Sequence, residues 1–189
     1  MEETQSSGSF VNRMVRAAKL ESDLYEEVEA DKSANKQAFL VVVLFTIAMS
    51  VGEAIAIKLF GTEELKDVFF VWSLLGALIA NMSFFLIFSL LTYWVGSTIL
   101  KGPETSADWG ELIRTLGFST SPGVLGILSV IPLLGLVVRI WMIITAVIAV
   151  RQALDFTTGR SIATCLICIL PSLIVTQIVL VLVLGFVGA

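Results

Sequence analysis

Residues 68–100 run for 33 positions without one Asp, Glu, Lys or Arg. At a rise of 1.5 Å per residue such a helix is about 50 Å long, more than a hydrocarbon core of roughly 30 Å requires. Aromatic residues account for the excess. Phe69, Phe70 and Trp72 stand near one end and Tyr93 and Trp94 near the other. Trp72 and Tyr93 are about 31 Å apart along a helix, the separation of two membrane interfaces, so the ends project into headgroups. A chain carrying this segment is an integral membrane protein. Its composition agrees: 57% of residues are apolar and 15% charged, too little polar surface to wrap a water-soluble particle.

Further apolar runs predict an all-α, five-transmembrane-helix bundle, with spans at about 37–60, 68–100, 113–134, 137–154 and 162–187. Glu53 and Lys58 interrupt the first run, Pro132 and Gly135 mark the turn between the third and fourth, and Pro171 falls inside the last as a kink. The division of 113–154 rests on that one turn. As a single span it would make the count even and bring the C-terminus to the same side as the N-terminus.

Residues 1–36 read as a separate, cytoplasmic N-terminal segment, and 37–189 as the membrane domain. The first 36 positions hold 8 of the 16 acidic and 5 of the 12 basic residues. Residues 1–8 read as unstructured. Phe10, Val11, Met14, Val15 and Ala18 then recur at helical spacing opposite Arg13, Arg16 and Lys19, with Ser9 as N-cap. This short amphipathic helix suits either an anionic leaflet or the protein's own surface. A second short helix, capped by Asp23, follows through Leu24, Tyr25 and Val28. The segment is expected to be peripheral, its removal leaving a folded bundle. A polar stretch ahead of the first apolar run makes that run a retained span rather than a cleaved signal.

Lys and Arg accumulate on inner segments. With the N-terminus inside, Arg13, Arg16, Lys19, Lys32, Lys36, Lys101, Arg114, Arg151 and Arg160 lie inward, and Lys58, Lys66 and Arg139 outward. The expected location is the cell membrane, N-terminus cytoplasmic and C-terminus outside.

The stretch Leu116-Gly117-Phe118-Ser119-Thr120-Ser121-Pro122 resembles the Leu-Gly-Tyr-x-x-x-Pro segment that opens the third span of the Yip family, membrane proteins named for interaction with Ypt/Rab GTPases. Trp141, Arg151, Gly159-Arg160-Ser161 and the closing apolar span are similar to the prokaryotic branch of that domain. The resemblance extends over about residues 12–187. It implies five spans, a cytoplasmic N-terminus and protein partners, with Gly117, Phe118 and Pro122 as the motif residues. Eukaryotic members carry Asp-Leu-Tyr-Gly-Pro before the first span, whereas here Asp23-Leu24-Tyr25 is followed by Glu26-Glu27.

Residues that carry chemistry are few. The chain has no His, which removes His-based acid–base catalysis and most zinc sites, and no phosphate-binding glycine pattern occurs. Cys165 and Cys168 have redox-motif spacing, but inside an apolar helix they read as packing. No catalytic residue, cofactor or metal is expected, and a net charge of −4 without a basic patch argues against nucleic acid. Small residues recur at four-residue spacing at Ala48, Gly52 and Ala56, at Gly76 and Ala80, and at Thr145, Ala149 and Ala153. These are seams for close helix approach, within one chain or in a homo-oligomer.

Glu53, Asn81 and Gln177 each fall about 4–6 Å outward from the middle of their spans. They read as polar glue between helices or as an intramembrane polar site, because a lipid-facing carboxylate is costly. Arg151 and Asp155, four residues apart, read as an ion pair at the inner end of the fourth span. The leading functional expectation is a non-catalytic Yip-like scaffold or adaptor, linked to membrane organisation or trafficking. It would contact lipids and a cytoplasmic protein. The alternative is a small channel or transporter built on Glu53, Asn81 and Gln177.

Overall fold

The computed structural model describes residues 9–63, 70–105 and 108–187, with side chains to Leu182. Residues 1–8 and Phe69 lie outside that set. The described residues form helices joined by short turns: α1 (Phe10–Ala18), α2 (Ser22–Ala30), α3 (Asn35–Phe60, preceded by a 3-10 turn Lys32–Ala34), α4 (Phe70–Trp94, closed by a π-helical turn Val95–Ile99), α5 (Trp109–Ser119, continued by a 3-10 segment Ser121–Val130), α6 (Pro132–Ala153) and α7 (Thr158–Val187).

Among the described residues four helical stretches, rather than five, are long and apolar enough to cross a membrane: Lys32–Phe60, Phe70–Ile99, Pro132–Ala153 and Thr158–Leu182. The span expected at 113–134 is instead two short pieces joined at Thr120. The reason lies in its hydroxyls and its proline. Pro122 has no N–H to bond the Phe118 carbonyl, and the Ser121 hydroxyl takes that acceptor at 2.6 Å. Ser119 and Thr120 donate to the carbonyls of Leu116 and Gly117, each at 2.7 Å. The Gly123 N–H bonds Thr120 O at 2.8 Å. An α-helical ladder would have sent it to Ser119 O; that carbonyl accepts instead from Thr145 of α6 at 2.7 Å. Local hydroxyl bonds thus convert the helix to 3-10 geometry and free one carbonyl to hold a neighbour.

The two pieces climb beside α3. A Cβ added to Gly117 would press on Ala38, one on Gly123 on Phe45, and one on Gly126 on Met49. From Ala38 to Met49 is about 16 Å of α3. At the far end Gly52 meets the backbone of Gly126 and Ile127. Gly52, expected at a seam, therefore works within one chain. The chain turns at Ile131–Pro132 and α6 runs back antiparallel, with Gly135 against Ser129.

α1 is capped by Ser9, which accepts from Asn12 N at 3.3 Å. It is not peripheral. Arg13, 2% exposed, donates to Glu27 (2.9 Å), Asp31 (2.8 Å) and Gln37 (3.0 Å). The Ala18 carbonyl accepts from the Trp141 indole at 2.9 Å. Arg13 therefore faces the protein, while Val11, Val15 and Leu20 stay exposed, set outward by the acids of α2 that claim the guanidinium. α2 starts at Ser22 with no side-chain cap at Glu21, so Asp23 lies in its first turn rather than capping it. Arg114, 4% exposed, fastens α5 to this hairpin and to the start of α3 by donating to Val28 O at 3.1 Å and Asn35 Oδ1 at 3.2 Å.

Candidate functional site

Two features stand out, one inside the bundle and one at the end carrying α1 and α2. Inside, the helical levels of Glu53 on α3 and Asn81 on α4 coincide. Asn81 Nδ2 donates to Glu53 Oε2 at 3.0 Å and lies 3.2 Å from Ser50 Oγ. The other carboxylate oxygen pairs with the guanidinium of Arg139 on α6. Glu53 is thus neutralised and its two oxygens are both matched, which is how a carboxylate at membrane depth is tolerated. Arg139 is the partner that sequence reasoning missed. The sequence counts it only among the outward basic residues; its place seven residues after Pro132, near the level of Glu53, is the available signal.

Below this cluster lies a cavity of about 410 Å³. Glu53, Asn81, Arg139 and Gln177 line one part of it, and Phe45, Met49, Phe84, Phe85, Phe88 and Ile169 supply much of the rest. Gln177 reaches the same cavity but has no hydrogen bond to Glu53 or Asn81. Thr176 beside it is 4% exposed, and its hydroxyl has no partner among the described residues.

At the α1–α2 end a second cleft, of about 620 Å³, is lined by Glu26, Glu29, Glu104, Glu111, Arg151 and Asp155 among others. Five carboxylates face one guanidinium. Burial, then the charges of Glu111, Asp155 and Glu26, push the Glu29 carboxyl up to about 7. Glu27, where Arg16 and Arg13 outweigh burial, and Asp31, held by the Ser33 hydroxyl and then by Arg13, lie below the usual carboxylate range. Arg151 and Asp155 do not pair with each other. Arg151 Nε donates to Gln152 Oε1 at 2.9 Å, and Asp155 sits beyond the helix end with φ 51°, turned out of the four-residue register that pairing needs.

The remaining expectations have structural places. Gly117, Phe118 and Pro122 are buried at the α5 junction. Leu24 and Tyr25 are wholly buried, with the Tyr25 hydroxyl 3.4 Å from Ala17 O, so that run is core and not a surface offered to a partner. Cys165 and Cys168 are free thiols, each 1% exposed. Among the described residues no group of three or more His, Cys, Asp or Glu is placed to hold a metal ion.

Set against known proteins, residues 22–187 match the family model of the Yip1 domain. No curated protein and no solved structure matches the chain. The match begins at α2 and runs to the end of α7.

Proposed function

The chain belongs to the Yip1 domain family, and from that premise we propose that it is a non-catalytic membrane scaffold that presents its α1–α2 end to a cytoplasmic protein. The observation that carries this reading is the acidic cleft, where Glu26, Glu29, Glu104, Glu111 and Asp155 surround Arg151. A concave surface with an excess of one charge sign steers and selects a partner of the other sign. The partner's contacting segment is therefore basic. Basic residues gather on this end of the chain, which supports an inner-side location at the cell membrane. The two-piece α5 segment carries the chain across, so the C-terminus lies outside.

A transport reading draws on the cluster of Glu53, Asn81, Arg139 and Gln177 around the cavity. It is the weaker one, because Glu53 is already balanced by Arg139 and the aromatic wall gives a hydrated ion no partners.

Photocross-linking in native membranes separates the two readings. A photoreactive residue at Gln152, beside the cleft, should capture a discrete protein. The charge-reversed pair Glu26→Lys and Glu104→Lys should abolish that capture while leaving expression unchanged. Capture that survives the reversal, or a solute flux in reconstituted vesicles that Glu53→Gln eliminates, would overturn the scaffold role.

A further inference from the structure

We propose that the cavity between α3, α4, α6 and α7 holds one acyl chain of a membrane glycerolipid, with the ester oxygens of that lipid seated on Arg139, Gln177 and Thr176. This assignment stands apart from the scaffold reading and survives its failure.

Shape comes first. Along α7 the lining runs from Cys165 to Gln177, about 18 Å of helix, and along α3 from Phe45 to Glu53, about 12 Å. The space is elongated along the membrane normal, as a hydrocarbon chain is. Its volume of about 410 Å³ falls within the range of small-molecule sites. Ile143 and Leu173 line it and are 41% and 45% exposed, so it opens sideways between α6 and α7, where the surroundings are lipid.

The polar end selects the class of lipid. Glu53 is already matched by Arg139 and Asn81, which leaves no spare anion for a cation. The unmatched capacity includes several donors. The Thr176 hydroxyl is buried without a partner among the described residues, and the Gln177 amide lines the cavity. Arg139 gives Glu53 one of its five N–H groups. Several donors facing an apolar channel fit an occupant that is apolar along its length and accepts hydrogen bonds at its end. Ester carbonyls only accept, and they lie just beneath the headgroups, above the chain. A polar solute would meet Phe45, Phe84, Phe85 and Phe88 with no hydrogen-bonding surface.

The test uses the full chain in phosphatidylethanolamine and phosphatidylglycerol vesicles, doped with a phospholipid carrying a diazirine midway along one acyl chain. After irradiation, adducts should map to Met49 and Phe85, which are 2% and 7% exposed, as well as to outward residues such as Leu166 and Leu170. Ala146→Phe, which fills the cavity from α6, should reduce the interior adducts several-fold and spare the outward ones. The milder pair Thr176→Val and Gln177→Leu removes donors with little change of volume and should weaken interior labelling in the same direction. Labelling confined to outward residues would overturn the proposal, as would interior labelling that both folded variants leave unchanged. A diazirine fatty acid that marks Met49 and Phe85 where the phospholipid does not would overturn the glycerolipid assignment.

Discussion

Single residues decide whether the bundle closes. Gly52 and Gly126 let α3 and the 3-10 segment approach so closely that a Cβ on either would overlap the other element. Gly159, in the first turn of α7, has nothing within 4 Å of such a Cβ. Gly52→Ala should therefore destabilise the protein by about 2–3 kcal/mol through overpacking. Gly159→Ala should be neutral or stabilise it by up to about 1 kcal/mol through helix propensity. Thermal unfolding in detergent measures both. At this scale much was legible: the helical rise alone brought Glu53 and Asn81 to one level, and they bond. Arg139 was not legible as their partner. A cation near a span end counts toward the inside–outside balance, and only packing shows which way its long side chain turns.

At the scale of elements, the α1–α2 hairpin turns on Arg13. Its side chain is 3% exposed, against 34% for Glu27 and 28% for Asp31. Arg13→Met removes the partner that Glu27, Asp31 and Gln37 share, but leaves Glu27 on Arg16 and Asp31 on Ser33; it should cost about 2 kcal/mol, whereas Arg16→Met, at a side chain 25% exposed, should cost less than about 1 kcal/mol. Chemical unfolding of the two variants gives the comparison. The amphipathic pattern of α1 was plain in the sequence. Which face turns inward was not, because that depends on acids 14 and 18 residues further on.

The same hairpin makes stability depend on pH. Glu29 holds a proton in the native state up to about 7, whereas the unfolded chain loses it near the ordinary carboxylate value. Between those limits the native state binds more protons, so stability falls as pH rises. The melting temperature should decline from about pH 5 to about pH 8, and Glu29→Gln should remove most of that slope. Glu27 and Asp31 act in the opposite sense: their low values contribute stability above the ordinary carboxylate range that is lost on acidification. A native protein whose melting temperature rose steadily from pH 5 to pH 8 would contradict the burial of Glu29.

For the whole molecule, length and hydropathy exposed the four long helices and the membrane class. They did not expose the break at Thr120. The apolar pattern of 113–134 continues through it, and only the order Ser119-Thr120-Ser121-Pro122 carries the change of ladder. The acidic cleft was equally hidden, since Glu26 and Glu29, Glu104 and Glu111, and Asp155 come from three separated stretches.

The proposed orientation, with the acidic end inside and the C-terminus outside, requires α5 and the 3-10 segment to cross together beside α3. Single cysteines at Ser6 and in a short extension after Ala189, probed with a membrane-impermeant maleimide on intact cells, test it directly. Because Cys165 and Cys168 are buried, background labelling should be low. The extension should label on intact cells, and the Ser6 position only after the membrane is opened. Labelling of both from the same side would contradict the account, leaving four crossings and the broken segment on one side of the bilayer.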